Sequence, residues 1–264
     1  MPEPVILKKV KPNNIVEITL NRPEVFNSYN EKLLTDLGNV FDEVEKDTSI
    51  RALILRGAGK HFSAGADVNW FRELSKSSEA EKKRAAELST DVMQKLFQSR
   101  VPTIALVHNA CFGGGIGWVA SCDIVIATDD SHFAITEVRV GIPPAPILPQ
   151  IIEAIGARQA RRYTLTAEAF DVYQAQRIGL VHEICSDGDL DKTVEPILES
   201  ILKSAPNAVG LTKNLINEIS QQKMTKKLHS RLTTISAEGR NTAEGIEGFS
   251  AFLEKRNPVW YDPD

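Results

Sequence analysis

Three short stretches carry residue types that could do chemistry together. Phe112-Gly113-Gly114-Gly115-Ile116-Gly117 spends four of six positions on glycine. Glycine holds helices and strands poorly, but it lets a ligand approach the main chain without meeting a Cβ. Phe62-Ser63-Ala64-Gly65-Ala66-Asp67 is a second run of small residues. Thr136-Glu137-Val138 supplies a carboxylate in an apolar setting, with the proline-rich Gly141-Ile142-Pro143-Pro144-Ala145-Pro146 just downstream. Two such turns can aim backbone N–H groups at one point, and a helix starting at Gly114 adds its positive dipole end. The product is an oxyanion hole, stabilising charge that develops on an oxygen. A desolvated Glu137 has a raised pKa, which suits proton transfer.

Rival motifs fail on spacing. Gly57-Ala58-Gly59-Lys60 would need glycine at Ile54 and a hydroxyl residue at His61 to be a phosphate loop. Gly115 and Gly117 are followed by Ala120, and no acidic ribose partner stands out on a βαβ unit, so the dinucleotide fingerprint is not met. No G-x-S-x-G is present for a nucleophilic serine. His108, Cys111, Cys122 and His132 match no zinc pattern, so Cys111 and Cys122 read as small core residues and no metal is expected. His61 and His108 read as structural or surface residues.

The elements that must position these groups are legible from periodicity. Strands are expected at Pro4 to Val10, Ile15 to Leu20, Ala52 to Arg56, Thr103 to Val107 and Ile124 to Thr128, with a small one at Leu180 to Cys185. Asn30 is placed to cap a helix through Asp47, with Leu33, Leu34, Leu37, Val40, Phe41 and Val44 on one stripe. A polar helix covers Glu79 to Gln98. After the prolines almost everything reads as helical: Ile147 to Ile155, Ala157 to Thr164, Val172 to Ile178, Leu190 to Ser204, Asn207 to Ile219, and one long helix from Lys226. The chain is therefore α/β in its first half and mostly helical beyond.

The 264 residues are 42% hydrophobic, enough for a full core in one large domain or two. A net charge of −4 without a basic stripe argues against nucleic acid, and Glu81-Lys82-Lys83-Arg84 reads as a solvated helix face. Three cysteines are too few for a disulfide framework. The N-terminus lacks a signal-peptide pattern and no stretch has transmembrane length, so the expected compartment is cytoplasmic and no membrane partner is expected.

Taken in order, the motifs resemble the crotonase family, the enoyl-CoA hydratase/isomerase superfamily. The pieces are Leu20-Asn21-Arg22-Pro23-Glu24 with Asn27; Ala52 through Asp67; Phe112 through Ile124; Thr136 through Pro143; Leu165 to Glu168; Ile178 to Val181; and Phe252 to Arg256. The resemblance implies a crotonase-like spiral of ββα units (residues 1–200) and a C-terminal helical trimerisation region (201–264), assembled as a homotrimer or homohexamer. It implies that the amides of Ala66 and Gly114 bind the thioester oxygen of an acyl-CoA, with Glu137 as the catalytic acid/base. Ala64, Asp67, Val68 and Asn69 would lie along coenzyme A, and Lys255 would approach it. Coenzyme A arrives on the substrate, so no separate cofactor is implied.

One departure matters. Hydratases of the best-known type carry a glutamate three residues after the middle glycine, and here that residue is Gly117. Two enzyme readings follow: hydration with Glu137 as the one acid/base, or isomerisation with Glu137 shuttling a proton between Cα and Cγ. A non-catalytic acyl-CoA-binding member is the third. The strings SAGADVNWF, GGGIGWVASCDIVIA and TEVRVGIPPA are similar to those of bacterial methylglutaconyl-CoA hydratases, a subgroup with glycine at the same position. The resemblance thus favours a short branched 2-enoyl-CoA. Arg139, Arg161 and Arg162 are candidates to meet an acidic acyl tail, though surface ion pairs are their first reading. Pocket walls are expected from loops at Trp70 to Ser78 and Pro143 to Pro149.

Overall fold

The computed structural model describes residues 3–220 and 222–262. Strand β1 (Ile6–Lys11) pairs antiparallel with β2 (Ile15–Leu20) across the turn at Pro12–Asn14. Helix α1 (Glu31–Lys46) follows, opened by the Asn30 side chain accepting from the Leu33 amide at 3.0 Å. Strand β3 (Ala52–Gly57), helices α2 (Val68–Lys76) and α3 (Glu79–Phe97), and strand β4 (Thr103–Val107) come next. Then come β5 (Ala110–Phe112), α4 (Gly114–Ser121), β6 (Ile124–Thr128) and β7 (His132–Ala134). The rest is α5 (Leu148–Thr166), β8 (Phe170–Asp171), α6 (Val172–Arg177), β9 (Glu183–Cys185), α7 (Leu190–Lys203), α8 (Pro206–Ile219), α9 (Lys226–Gly239) and α10 (Ala243–Glu254).

The large sheet runs β1-β2-β3-β4-β6-β9, parallel from β2 onward, and a small sheet runs β5-β7-β8. From β4 on, each turn of chain gives one strand to each sheet. Bridges Tyr29↔Ala66 and Ser63↔Cys111 continue the small sheet back into the earlier turns. This is the spiral of strand, strand and helix that the family resemblance implies. Residues of β3 alternate between two cores. Leu53 and Leu55 pack toward α1 and α3, whereas Ala52 and Ile54 pack toward Leu190, Val194, Leu198 and Leu202 of α7. Burial on both faces explains why β3, β4 and β6 read as unbroken apolar runs.

Several expectations need correction. The segment after Asp67, read as a loop, folds as α2, because Asp67 caps it and accepts from the Asn69 amide at 2.9 Å. The long C-terminal helix is two, since the chain turns at Arg240–Thr242 and the Thr242 hydroxyl caps α10. β1 begins at Ile6, two residues late, and the strand at 180–185 shortens to β9. The strands β5, β7 and β8 are too short to show a period. The division at Gly156 holds: its φ of +71° and ψ of +153° interrupt α5 where two helices are expected.

Candidate active site

The motif around Asn27 is a scaffold for the first bend. Asn27 is fully buried, with its side chain donating to the carbonyls of Ala58 and His61 at 2.8 Å each and accepting from the Arg22 amide. The Arg22 guanidinium meets the Asp67 carboxylate at 2.8 Å. Burial alone would raise the Asp67 pKa, but hydrogen bonds from Arg22 and the α2 amides hold it below the usual value. The chain at 64–67 therefore runs beside 26–29. Ala64 N donates to Phe26 O, Tyr29 N to Gly65 O, and Asp67 N to Tyr29 O. Because neighbours on both sides of Ala66 bond to Tyr29, the Ala66 N–H points the opposite way.

The second bend comes from the glycine run. Gly113 adopts φ +51° and ψ −128°, a conformation closed to other residues, and α4 starts at Gly114 with its first amides unpaired. Neither the Ala66 nor the Gly114 amide donates to an acceptor among the described residues. The bends touch: a Cβ on Gly65 would lie 2.9 Å from Phe112 O and 3.2 Å from Gly114 N. The glycines are what let two lengths of main chain approach this closely.

Glu137 opens a short 3₁₀ turn, Glu137–Val140, after β7. Its carboxylate lies against Gly113, where a Cβ would meet Oε1 at 3.1 Å. Oε2 is enclosed and has no hydrogen-bond partner among the described residues. Burial pushes the Glu137 pKa up, and the amides of Glu137 and Thr136 only partly offset this. A carboxylate so placed holds a proton more readily than an exposed one.

A cavity of about 780 Å³ opens in front of these groups. Ala64, Ala66, Gly113 and Glu137 line its floor, and its walls include Val68, Trp70, Phe71 and Leu74 of α2 and Pro143 to Ile147. Both wall segments coincide with those expected from sequence. Asp67 and Asn69 face a neighbouring depression with Asn30 and Trp70. Asn69 Oδ1 accepts from Arg72, and Val68 is exposed. Lys255 is exposed at the end of α10 and is not among the cavity residues. Arg139 lines the cavity and donates to Ala167 O, whereas Arg162 pairs with Glu168 away from it. Cys111 and Cys122 are buried.

Gly117 is walled off from the cavity by apolar atoms. A Cβ there would lie 2.3 Å from Ile147 Cγ2 and 3.2 Å from Met93 Cε. No acid can stand at that position without repacking. Four polar residues of the cavity escape the sequence reading: Tyr29, and Lys82, Ser89 and Thr90 of α3. Tyr29 sits at apolar spacing before α1, and what brings it to the floor is its long-range bridge to Ala66. A helix-face lysine such as Lys82 has no local signature.

The sequence model of the Enoyl-CoA hydratase/isomerase family matches residues 10–263. The chain is 32% identical over 254 residues to the short-chain-enoyl-CoA hydratase of Clostridium acetobutylicum, covering 96% of this chain and 95% of that one. It is 28% identical over 264 residues to the mitochondrial Delta(3,5)-Delta(2,4)-dienoyl-CoA isomerase of Dictyostelium discoideum, covering 96% and 90%. A solved enoyl-CoA hydratase from Shewanella pealeana superposes with a TM-score of 0.93 at 32% identity, covering 97% and 96%. With its paired sheets and its two converging bends, the chain belongs to the enoyl-CoA hydratase/isomerase, or crotonase, family.

Proposed function

We propose that this protein hydrates a short, branched 2-enoyl-CoA of the methylglutaconyl type. The thioester oxygen accepts hydrogen bonds from the Ala66 and Gly114 amides, which draws electron density from Cβ. Water adds its oxygen to Cβ, the π pair shifts to give an enolate on the thioester oxygen, and Glu137 takes the released proton. Glu137 then returns that proton to Cα, closing the balance with one acid/base. The observation carrying this reading is the enclosed, unpartnered Oε2 of Glu137 on the same cavity floor as Ala66 and Gly113. Apolar walls with Arg139 and Lys82 among them suit a branched acyl group ending in a carboxylate.

Isomerisation is the second reading, favoured by Gly117. A 1,3 proton shift needs one base and no water, and Glu137 faces no second carboxylate from Gly117. Absorbance of the conjugated thioester separates the readings. Across branched, glutaconyl and straight-chain esters, loss of signal from 2-enoyl substrates supports hydration. Gain from 3-enoyl substrates, without loss from 2-enoyl ones, supports isomerisation. Binding without either change supports a non-catalytic acyl-CoA binder.

We also propose that the C-terminal helices form the contact of a homotrimer, whether alone or as half of a hexamer. Ile246, Phe249, Phe252 and Leu253 of α10 are exposed, Phe252 at 81% and Leu253 at 78%. Apolar side chains bared on this scale along one helix mark a contact surface.

A further inference from the structure

The Tyr29 hydroxyl stands against Gly114 of the glycine turn, and the Glu137 carboxylate against its neighbour Gly113. A Cβ on Gly114 would meet its Oη and Cε1 at 2.5 Å, whereas a Cβ on Gly113 would meet Glu137 Oε1 and Thr136 Oγ1. Two oxygen-bearing side chains thus flank Gly113–Gly114, and Thr136 shares the Glu137 side. The Tyr29 ring is pinned edge-on by Trp118 at 5.9 Å and Trp70 at 6.2 Å between centroids. Tyr29 is 7% exposed, lines the cavity, and its hydroxyl has no hydrogen-bond partner among the described residues. A phenol hydroxyl that faces the cavity with no protein partner is free to hydrogen-bond a molecule that binds there.

A single carboxylate fixes only one O–H of a water molecule and leaves it free to rotate about that bond. A second acceptor would set the direction of the attacking lone pair. Side chains on a helix lean toward its N-terminus, so one at Gly117 would reach back over Gly114. Ile147 fills the start of that path, and the Tyr29 hydroxyl stands near its end.

We propose that the Tyr29 hydroxyl holds the attacking water opposite Glu137, making the reacting centre a carboxylate–phenol pair. This rests on the hydratase reading above. The water donates one hydrogen to Glu137 and the other to Tyr29 Oη. As its oxygen bonds to Cβ, the proton facing Glu137 transfers and later goes to Cα, while Tyr29 keeps its own proton throughout. Burial and the Glu137 charge both push the Tyr29 pKa upward, so the phenol stays neutral and serves as a fixed acceptor.

The test is Tyr29→Phe, which keeps the ring against Trp118 and Trp70. Two rates are read on the full-length protein. One is hydration of a 2-enoyl-CoA that the wild type hydrates; the other is deuterium uptake at Cα of butanoyl-CoA in heavy water. Cα exchange needs Glu137 and the two amides but no attacking water. The expected result is a fall in hydration kcat of about 10- to 100-fold, with KM and Cα exchange nearly unchanged. Unchanged hydration would overturn the inference, and so would equal loss of both rates, which would place Tyr29 on the enolate or in general packing. A wild type that exchanges Cα hydrogens yet hydrates no ester would instead defeat the hydratase reading, and the inference with it.

Discussion

At Glu137, stability and chemistry pull in opposite directions. Burial raises its pKa, so the folded state favours the neutral acid. That preference stabilises the fold fully below the ordinary glutamate value and is lost as pH rises through the raised value. Glu137→Gln should therefore melt higher than wild type at pH 7.5 and nearly the same at pH 4, as read by calorimetry. Water activation needs the carboxylate, so the acid limb of kcat/KM should lie above the ordinary glutamate range. The glycine run and the lone acid Glu137 beside prolines were conspicuous locally, whereas the choice of Ala66 and Gly114 came from the family resemblance. Tyr29 was not legible, because its place depends on a bridge to a residue 37 positions away.

The elements around the site explain why the second acid cannot simply be restored. Helix α4 lies with every residue buried, and Gly117 faces Ile147 and Met93. Gly117→Glu must displace those side chains and bury a carboxylate among apolar atoms. Chemical denaturation should show a loss of about 3 kcal/mol or more, and hydration should fall rather than improve. At the start of α2, Asp67 combines a cap with the Arg22 ion pair. Asp67→Ala should cost about 1–3 kcal/mol at pH 7. The difference should shrink as pH falls through the lowered Asp67 pKa, because that contribution exists only above it. Long elements such as α1 and β3 were readable because each fills a face or a full apolar run. Helix α2 was missed because its apolar residues, Trp70, Phe71 and Leu74, line the cavity instead of a core stripe.

On the scale of the whole molecule, the two cores hold the spiral while apolar side chains of α10 stay exposed. Arg51 joins the α7 end to the C-terminal segment, donating to the carbonyls of Leu202, Ser204 and Trp260. Among the described residues, no helix is long and apolar enough to cross a membrane. If α10 forms the trimer contact, sedimentation should give three or six times the 29.1 kDa chain mass. Replacing Phe249 and Phe252 with Asp should release monomers, while an unchanged mass would remove α10 from the interface. The two-part texture of the chain was visible in its composition. The break at Arg240–Thr242 was not, since a threonine cap in a helical run carries little signal beside the surrounding helix formers.

The most direct measurement compares wild type with Glu137→Gln, taking the hydration rate of a 2-enoyl-CoA and the calorimetric Kd of a non-reacting acyl-CoA. Turnover is predicted to fall by about 10²–10⁴-fold, with Kd within a factor of three, because the substitution leaves the Ala66 and Gly114 amides proposed to hold the thioester untouched. A variant that still hydrates at near wild-type rate would contradict the account, whatever its affinity.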